Sequence, residues 1–393
     1  MTTLIHSARK LDSEGQVDDF WMLVDGDTII RTGSGRTPDA AGAGAPDSDA
    51  VERIDVGGDW LVPGFIDLHC HGGGGHSYDD DADEIRAAIA THRAHGTTRS
   101  VLSLVANPLA QLRSSLAVIA ELTDSDPTIL GSHLEGPFLS EGKRGAHNPA
   151  YLRAPLPYEV EELIGAGRDT LRQLTIAPEL EGALEAIDVL VEAGVTVAIG
   201  HTEADFALAQ ESFDRGARIL THAFNAMNGI HHRAPGPIVA AFEDERVTVE
   251  LILDGLHVHP DVAGMVFRAA PGRIALVTDA MAAAGASDGD YPLGTLNVTV
   301  RDGLAVLRGT DTIAGSTLTL DAALRNAIEL AGVPPVDAVG ALTTVPARAL
   351  GLDHRLGRLA PGYAADAVIL DSGLHVQRVW ANGTPVVAPD AVP

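Results

Sequence analysis

The chain has 393 residues, 45% of them hydrophobic, and its 54 acidic against 27 basic side chains give a net charge of −27. This length exceeds one ordinary domain but suits a barrel of roughly 250 residues with an accessory domain, and the acidity excludes nucleic acid and anionic membranes as partners. A single cysteine rules out an intrachain disulfide, and with Lys10 and Lys143 as the only lysines most mechanisms built on a buried catalytic lysine fall away.

From the N-terminus, short β-like runs such as Trp21 to Val24 and Thr28 to Ile30 are separated by Asp-Gly and Gly-rich turns. No secretory apolar region opens the chain and no run of about 18 apolar residues follows, so a soluble, cytoplasmic protein is expected. Asp39 to Asp49, made of Ala, Gly, Pro, Asp and Ser, reads as a surface loop. The far C-terminus, Ala364 to Leu370 and then Val376 to Trp380, is β-rich like the start. Residues 1–60 and 356–393 are therefore expected to pair into one small β-domain flanking residues 61–355.

The central segment opens on Pro63-Gly64-Phe65-Ile66-Asp67-Leu68-His69-Cys70-His71 and the glycines Gly72 to Gly75. Side chains two apart share a strand face, so His69 and His71 can grip one ion while Cys70 points away as a small buried hydrophobe. The glycines read as a flexible turn beside the ligand site rather than a phosphate cradle, because no matching helix start follows. Beyond them, apolar runs alternate with helical patterns such as Asp83 to His95 and Gly182 to Ala193, the signature of a βα array. Eight strands are predicted: Val62 to His69, Thr98 to Val105, Ile129 to Glu135, Gln173 to Ala177, Val195 to His201, Ile219 to His222, Val247 to Leu253 and Ile274 to Asp279. The expected fold is α/β, a (β/α)8 TIM-like barrel with a small β-sandwich domain formed from both chain termini.

The strand ends carry the chemistry. His69 and His71, Glu135, His201, His222 and Asp279 come from five separated segments, and barrel active sites sit where the carboxyl ends of the strands converge. Imidazoles with carboxylates suit zinc or iron rather than magnesium or calcium, with one or two divalent metals per subunit. A carboxylate between two histidine pairs bridges two ions, so His69, His71 and Glu135 are expected around one and Glu135, His201 and His222 around the other, with Asp279 as a ligand or facing the water.

These residues resemble a family. Pro63-Gly64-Phe65-Ile66-Asp67-x-His69-x-His71, the Asp279 strand end and Pro361-Gly362-x-x-Ala365-Asp366 resemble the amidohydrolase superfamily. Within it, His133-Leu134-Glu135-Gly136-Pro137-Phe138, Gly145-Ala146-His147-Asn148-Pro149, Ile199-Gly200-His201-Thr202, Thr221-His222-x-Phe224-Asn225-Ala226-Met227, Asp254-Gly255-x-His257 and Val277-Thr278-Asp279-Ala280 are similar to the N-acetylglucosamine-6-phosphate deacetylase family. The resemblance implies deacetylation of a phosphorylated amino sugar in cell-wall and chitin sugar recycling, by a homodimer. It implies metal ligation by Glu135, His201 and His222, with His69 and His71 marking a two-metal member, and Asp279 as general acid and base. It further implies oxyanion stabilisation by His147 and substrate contacts from Ala146, His147, Asn225, Ala226, Arg233, His257, Ile313, Ala314 and Gly315, with Arg233 and His257 near the phosphate and a phosphate contact crossing between subunits. Lys143 and Arg144 read as a solvated loop pair, and His231 and His232 stay undecided. Two further readings remain open: hydrolysis of another amide, such as a cyclic amide or an N-acetylgalactosamine phosphate, and a metal-binding scaffold without turnover.

Overall fold

The computed structural model describes residues 2–37 and 51–386, so the expected surface loop Asp39 to Asp49 lies outside the described residues. Eight parallel strands build the barrel: β1 (Phe65–Cys70), β2 (Thr97–Leu104), β3 (Ile129–Glu135), β4 (Leu171–Ile176), β5 (Thr196–Ile199), β6 (Ile219–Leu220), β7 (Thr248–Ile252) and β8 (Ile274–Val277). Neighbours in sequence are neighbours in the sheet. Every residue of β1, β2 and β3 is buried, as strands covered on both faces must be; the polar side chains among them, such as Asp67, Ser103 and His133, are hydrogen-bonded within the barrel. The ring closes between β8 and β1 through a Cys70–Ala280 bridge and the Asp279 N–H donating to the His69 carbonyl at 2.8 Å. Asp67 reinforces the seam, accepting from the Thr278 hydroxyl at 2.6 Å.

Helices cover the barrel between strands. The first, α1 (Ala82–Ala94), starts where the Asp81 side chain accepts from the N–H groups of Asp83 and Glu84, and buries Ile85, Ala88, Ile89 and His92 at helical spacing. Its acidic first turn and basic last turn, His92 and Arg93, both favour the helix dipole; losing the Asp81 cap would cost about 1 kcal/mol.

Three departures from the sequence expectation matter for the site. The first apolar run is two strands, not one: Trp60–Pro63 pairs with the terminal sheet, and the chain changes sheets at Gly64, whose N–H donates to the Asp366 carbonyl at 3.0 Å. The Gly72 to Gly75 run is not a flexible loop but a tight hairpin, Gly72–Gly73 against His76–Ser77, turning through Gly74 and Gly75 at positive φ. Its amides donate to the carbonyls of Ala280, Ala282 and Ala284, so the glycines admit a neighbouring segment of protein rather than a ligand. Finally β5, β6 and β8 stop at Ile199, Leu220 and Val277, each two residues short of the His201, His222 or Asp279 that was expected to end it.

Both termini build one eight-stranded sheet, in which Trp60–Pro63 joins Thr2–Asp12 to the C-terminal strand Ala367–Leu370. It has its own apolar core, including Ile5, Phe20, Met22, Ile29, Leu61 and Trp380. The Pro361 to Asp366 motif serves this junction. Asp366 is buried and accepts from Arg99 Nε at 2.6 Å and Nη2 at 3.2 Å, tying the amino-terminal end of β2 to the sheet. Arg99 is one of several arginines on that barrel floor that donate to main-chain carbonyls. Arg273 reaches Ala241, Asp244, Val247 and Phe242 at 2.7–2.9 Å, Arg218 reaches Phe213 and Ala217, and Arg172 reaches Leu130. They satisfy carbonyls of the segments that lead into the strands. Among the described residues no helix is long and apolar enough to cross a membrane.

Candidate metal centre

At the opposite end the strands deliver a buried cluster. His69 is the fifth residue of β1 and Glu135 the last of β3. His201, His222 and Asp279 follow β5, β6 and β8 with φ of 47°, 24° and 47°, a left-handed backbone that turns each side chain inward over the barrel mouth. Phe224 and Ala226 share that conformation, so five of the eleven non-glycine residues at positive φ among the described residues lie here. Torsional strain is concentrated where the ligand-type side chains are, and such strain persists only where surrounding structure holds it.

The donor atoms face one another. His69 Nε2 lies 3.1 Å from His71 Nε2, 3.3 Å from Glu135 Oε1 and 3.5 Å from Asp279 Oδ1, while His71 Nε2 lies 3.1 Å from Glu135 Oε2 and 3.3 Å from Asp279 Oδ1. Glu135 Oε1 also lies 3.0 Å from His201 Nε2 and 2.9 Å from His222 Nε2, which are 3.0 Å apart. Four bonds of about 2.0–2.1 Å in tetrahedral arrangement set their ligand atoms roughly 3.3 Å apart. The spacing is therefore that of residues arranged around divalent cations, with Glu135 common to both halves.

Tautomers separate two kinds of imidazole. His201 Nδ1 lies 2.9 Å from the Lys143 carbonyl oxygen, which can only accept, so the ring carries its proton there and leaves the Nε2 lone pair free. His147 is the reverse: its Nδ1 accepts from the Ala106 backbone N–H at 3.2 Å, so the proton sits on Nε2, 3.3 Å from Glu135 Oε2. Its position among the ligand atoms would admit a metal role, with Glu135 and His201 as partners. The backbone donor decides against it, because an Nε2–H group donates to an oxygen and cannot bind a cation. Burial holds His147 at a pKa of about 4, making it a neutral donor near neutral pH. Gly145 at φ 53° permits this loop to come close, since a Cβ there would sit 3.2 Å from the His201 ring.

Electrostatics follow the same arrangement. Burial opposes ionisation of Glu135, yet His69, His201 and His147 outweigh it and hold its pKa well below the usual range. Asp279 behaves likewise: burial raises it, but His69 and His71 bring it to about 2. Burial disfavours the charged form of His71, but Asp279 and Glu135 push its pKa to about 10. A cation entering the cluster displaces such protons. Cys70, facing away from the ligands against His92 and Tyr78, is driven to about 12 by burial and then by Asp67, which makes it an inert thiol. His133, within the first interior motif, is a satisfied core histidine between the Ser103 and Thr175 hydroxyls, each at 2.9 Å.

A cavity of about 230 Å³ opens above the cluster, walled by Ala146, His147, Asn225, Ala226, His257, Ile313 and Gly315 as well as His71, Glu135, His201, His222 and Asp279. His69 lies beneath and is fully buried. Two expected substrate contacts do not line it. Ala314 is packed into a separate apolar core with Met281, Leu293 and Val298, and Arg233 is exposed on a neighbouring loop, its guanidinium 2.8 Å from His232 Nε2. No lysine or arginine lines the cavity among the described residues; its cationic candidate away from the cluster is His257, whose Nδ1 is 2.7 Å from Asp254 Oδ2. Burial disfavours protonated His257, but Asp254 raises its pKa above the ordinary value. Val105, Leu293 and Thr312 also wall the cavity and were not anticipated. Leu293 ends the first strand of a three-stranded insertion after β8 (Gly289–Leu293, Leu296–Arg301, Leu304–Leu307), and Thr312 follows the last. Arg144 is exposed, whereas Lys143 Nζ donates to the Met227 carbonyl at 3.3 Å.

Residues 60–389 match the family described as the Amidohydrolase family. The N-acetylgalactosamine-6-phosphate deacetylase of Escherichia coli O157:H7 is 39% identical over 98% of this chain and 99% of that protein. The N-acetylglucosamine-6-phosphate deacetylase of Vibrio furnissii is 35% identical over 85% of this chain and 84% of that protein. Among solved structures, a mutant N-acetyl-D-glucosamine-6-phosphate deacetylase from Mycobacterium smegmatis in complex with N-acetyl-D-glucosamine-6-phosphate superposes with a TM-score of 0.91 and 42% identity, over 98% of this chain and 99% of that one.

Proposed function

The chain belongs to the amidohydrolase family, and from that premise we propose that it removes the acetyl group of N-acetyl-D-glucosamine 6-phosphate, releasing acetate and D-glucosamine 6-phosphate. One observation carries the reading: four imidazole Nε2 atoms lie 2.9–3.3 Å from Glu135, two of them also 3.3–3.5 Å from Asp279, beside a neutral Nε2–H donor at the base of a sugar-sized cavity. We assign two divalent ions, zinc or iron, to His69, His71 and Glu135 and to Glu135, His201 and His222. Such ions acidify water and polarise an amide carbonyl.

The side chains supply the rest. Asp279, ionised at neutral pH, accepts the proton of the attacking water and returns it to the amide nitrogen, so that the amine leaves as a neutral group. The His147 Nε2–H donates to the oxygen on which negative charge develops. His257 presents positive charge to the phosphate. Arg233, outside its own cavity, suits a phosphate contact across the interface of a homodimer, because a guanidinium fork matches phosphate geometry. Arg233→Ala should weaken the phosphorylated substrate by on the order of 2 kcal/mol while hardly affecting the unphosphorylated sugar; equal losses on both would remove the assignment. A phosphorylated, membrane-impermeant substrate is our reason for assigning the enzyme to the cytoplasm.

A second reading, the galacto epimer, is favoured by the E. coli relative, which matches along nearly its whole length. Acetate release from both epimers by the zinc-loaded protein separates the two. Absence of release from either phosphorylated sugar would refute the proposal.

A further inference from the structure

The barrel interior holds a carboxylate that no step above uses. Glu250 lies in the middle of β7, between Val249 and Leu251, with none of its surface exposed. A charge there is costly unless its oxygens are hydrogen-bonded. They are. Glu250 Oε2 lies 3.2 Å from His69 Nδ1 and accepts from the His222 backbone N–H at 3.4 Å, while Oε1 accepts from Gln173 Nε2 at 2.8 Å. Groups from β1, β4 and the segment after β6 thus meet on one side chain of β7.

The contact with His69 selects a tautomer. A carboxylate facing Nδ1 holds a proton there, which leaves Nε2 as the ring atom open to a cation. Without that acceptor the proton is free to move to Nε2, where it blocks a cation. His71 and His222 have no such partner for Nδ1. What Glu250 grips in His222 is instead the main chain, at a residue whose φ of 24° is the least comfortable of the three ligand-bearing turns.

We propose that Glu250 is the shared positioning residue of the metal centre, fixing the Nδ1–H tautomer of His69 and the strained backbone of His222 through the same carboxylate oxygen. This rests on reading the cluster as a divalent metal site. A merely structural Glu250 would tie strands together and leave the zinc affinity of the folded protein unchanged.

Two variants of the full chain test it. Glu250→Gln keeps the shape but offers one accepting oxygen where three donors converge; Gln173, whose own Oε1 is buried without a partner, can turn its amide to meet the new NH2 group and preserve packing. Glu250→Ala removes the acceptor altogether. The measurements are zinc affinity by chelator competition, thermal unfolding of the metal-free protein, and the ¹⁵N signals of the histidine rings in the zinc-loaded wild type. Wild type should bind zinc and show His69 protonated on Nδ1. Zinc affinity should fall about tenfold for Glu250→Gln and about a hundredfold for Glu250→Ala at both sites, with metal-free Glu250→Gln unfolding at the wild-type temperature. Variants that retain wild-type zinc affinity, whatever their stability, would overturn the inference, as would a wild-type His69 protonated on Nε2. A wild-type chain that binds no zinc overturns the metal reading and this inference with it.

Discussion

The two ends of the barrel are built from the same eight strands and solve opposite problems. At the floor, Arg273, Arg218, Arg172 and Arg99 direct guanidinium N–H groups to carbonyls or carboxylates of the chain itself. At the mouth, the Nε2 atoms of His69 and His71, and of His201 and His222, point at one another across 3.1 Å and 3.0 Å. Polar groups on the floor meet donors or acceptors of opposite kind, whereas at the mouth ring nitrogen faces ring nitrogen. Burial alone does not distinguish the ends, because Asp366 and Glu135 are comparably buried. The identity of the partner atom does.

That contrast is open to direct attack. Replacing Glu135 with Ala should be the largest perturbation, since it removes the one carboxylate shared by both halves: metal analysis should find both ions lost and turnover abolished, whereas His69→Ala should lose one ion. Two metals per chain in the Glu135 variant would end the bridging assignment. Asp279→Asn should come next, lowering kcat by a factor of about 10² to 10⁴ while substrate still binds and the metal held by Glu135, His201 and His222 remains. Calorimetry beside kinetics checks this, and near-native kcat would exclude Asp279 from proton transfer. On the floor the pattern should invert. Arg273→Ala deletes four hydrogen bonds to carbonyls and should cost roughly 2–3 kcal/mol of stability by denaturant unfolding, with kcat unchanged wherever the protein is folded. A drop in kcat at unchanged stability would mean that the two ends communicate.

The smallest effect concerns pH. His257 is raised and, although burial opposes it, Asp254 is lowered by His257. The contribution of His257 to stability is thus fully present below about pH 6.5 and lost as pH rises through its raised folded value, while that of Asp254 is present above about pH 3.9 and lost as pH falls through its lowered value. The pair is complete between those limits. Asp254→Asn should let His257 lose its charge at lower pH, so the rise of KM for a phosphorylated sugar with pH should begin earlier than in wild type. Superimposable KM profiles would detach His257 from the phosphate.

The sequence made the barrel legible because parallel strands buried on both faces are written as apolar runs, and β3 falls on the residues expected of it, Ile129–Glu135. The first strand was drawn too long because hydrophobicity runs unbroken across Gly64; only the lack of room for a Cβ there, against Thr98, marks the change of sheet. The ligand-type residues could be picked out as side chains ending strands, but not the turn two residues past each strand that aims them. The His147 tautomer depends on an amide 41 residues away, which no local pattern encodes. Glu250 did leave a trace, a carboxylate in a run of Val, Leu and Ile. Its place in the middle of a strand, away from the strand ends, gives it no ligand-type signature.

The left-handed turns at His201, His222 and Asp279 set selection against itself. Histidine and aspartate tolerate positive φ better than most residues, yet glycine tolerates it best, and each strained turn forgoes on the order of 1 kcal/mol. A gene copy released from the need to turn over substrate would gain folding stability by mutating those three codons towards glycine, while one under selection for activity must keep them. Drifting paralogues of this chain should therefore lose His201, His222 and Asp279 early and become hardier proteins as they become inert ones.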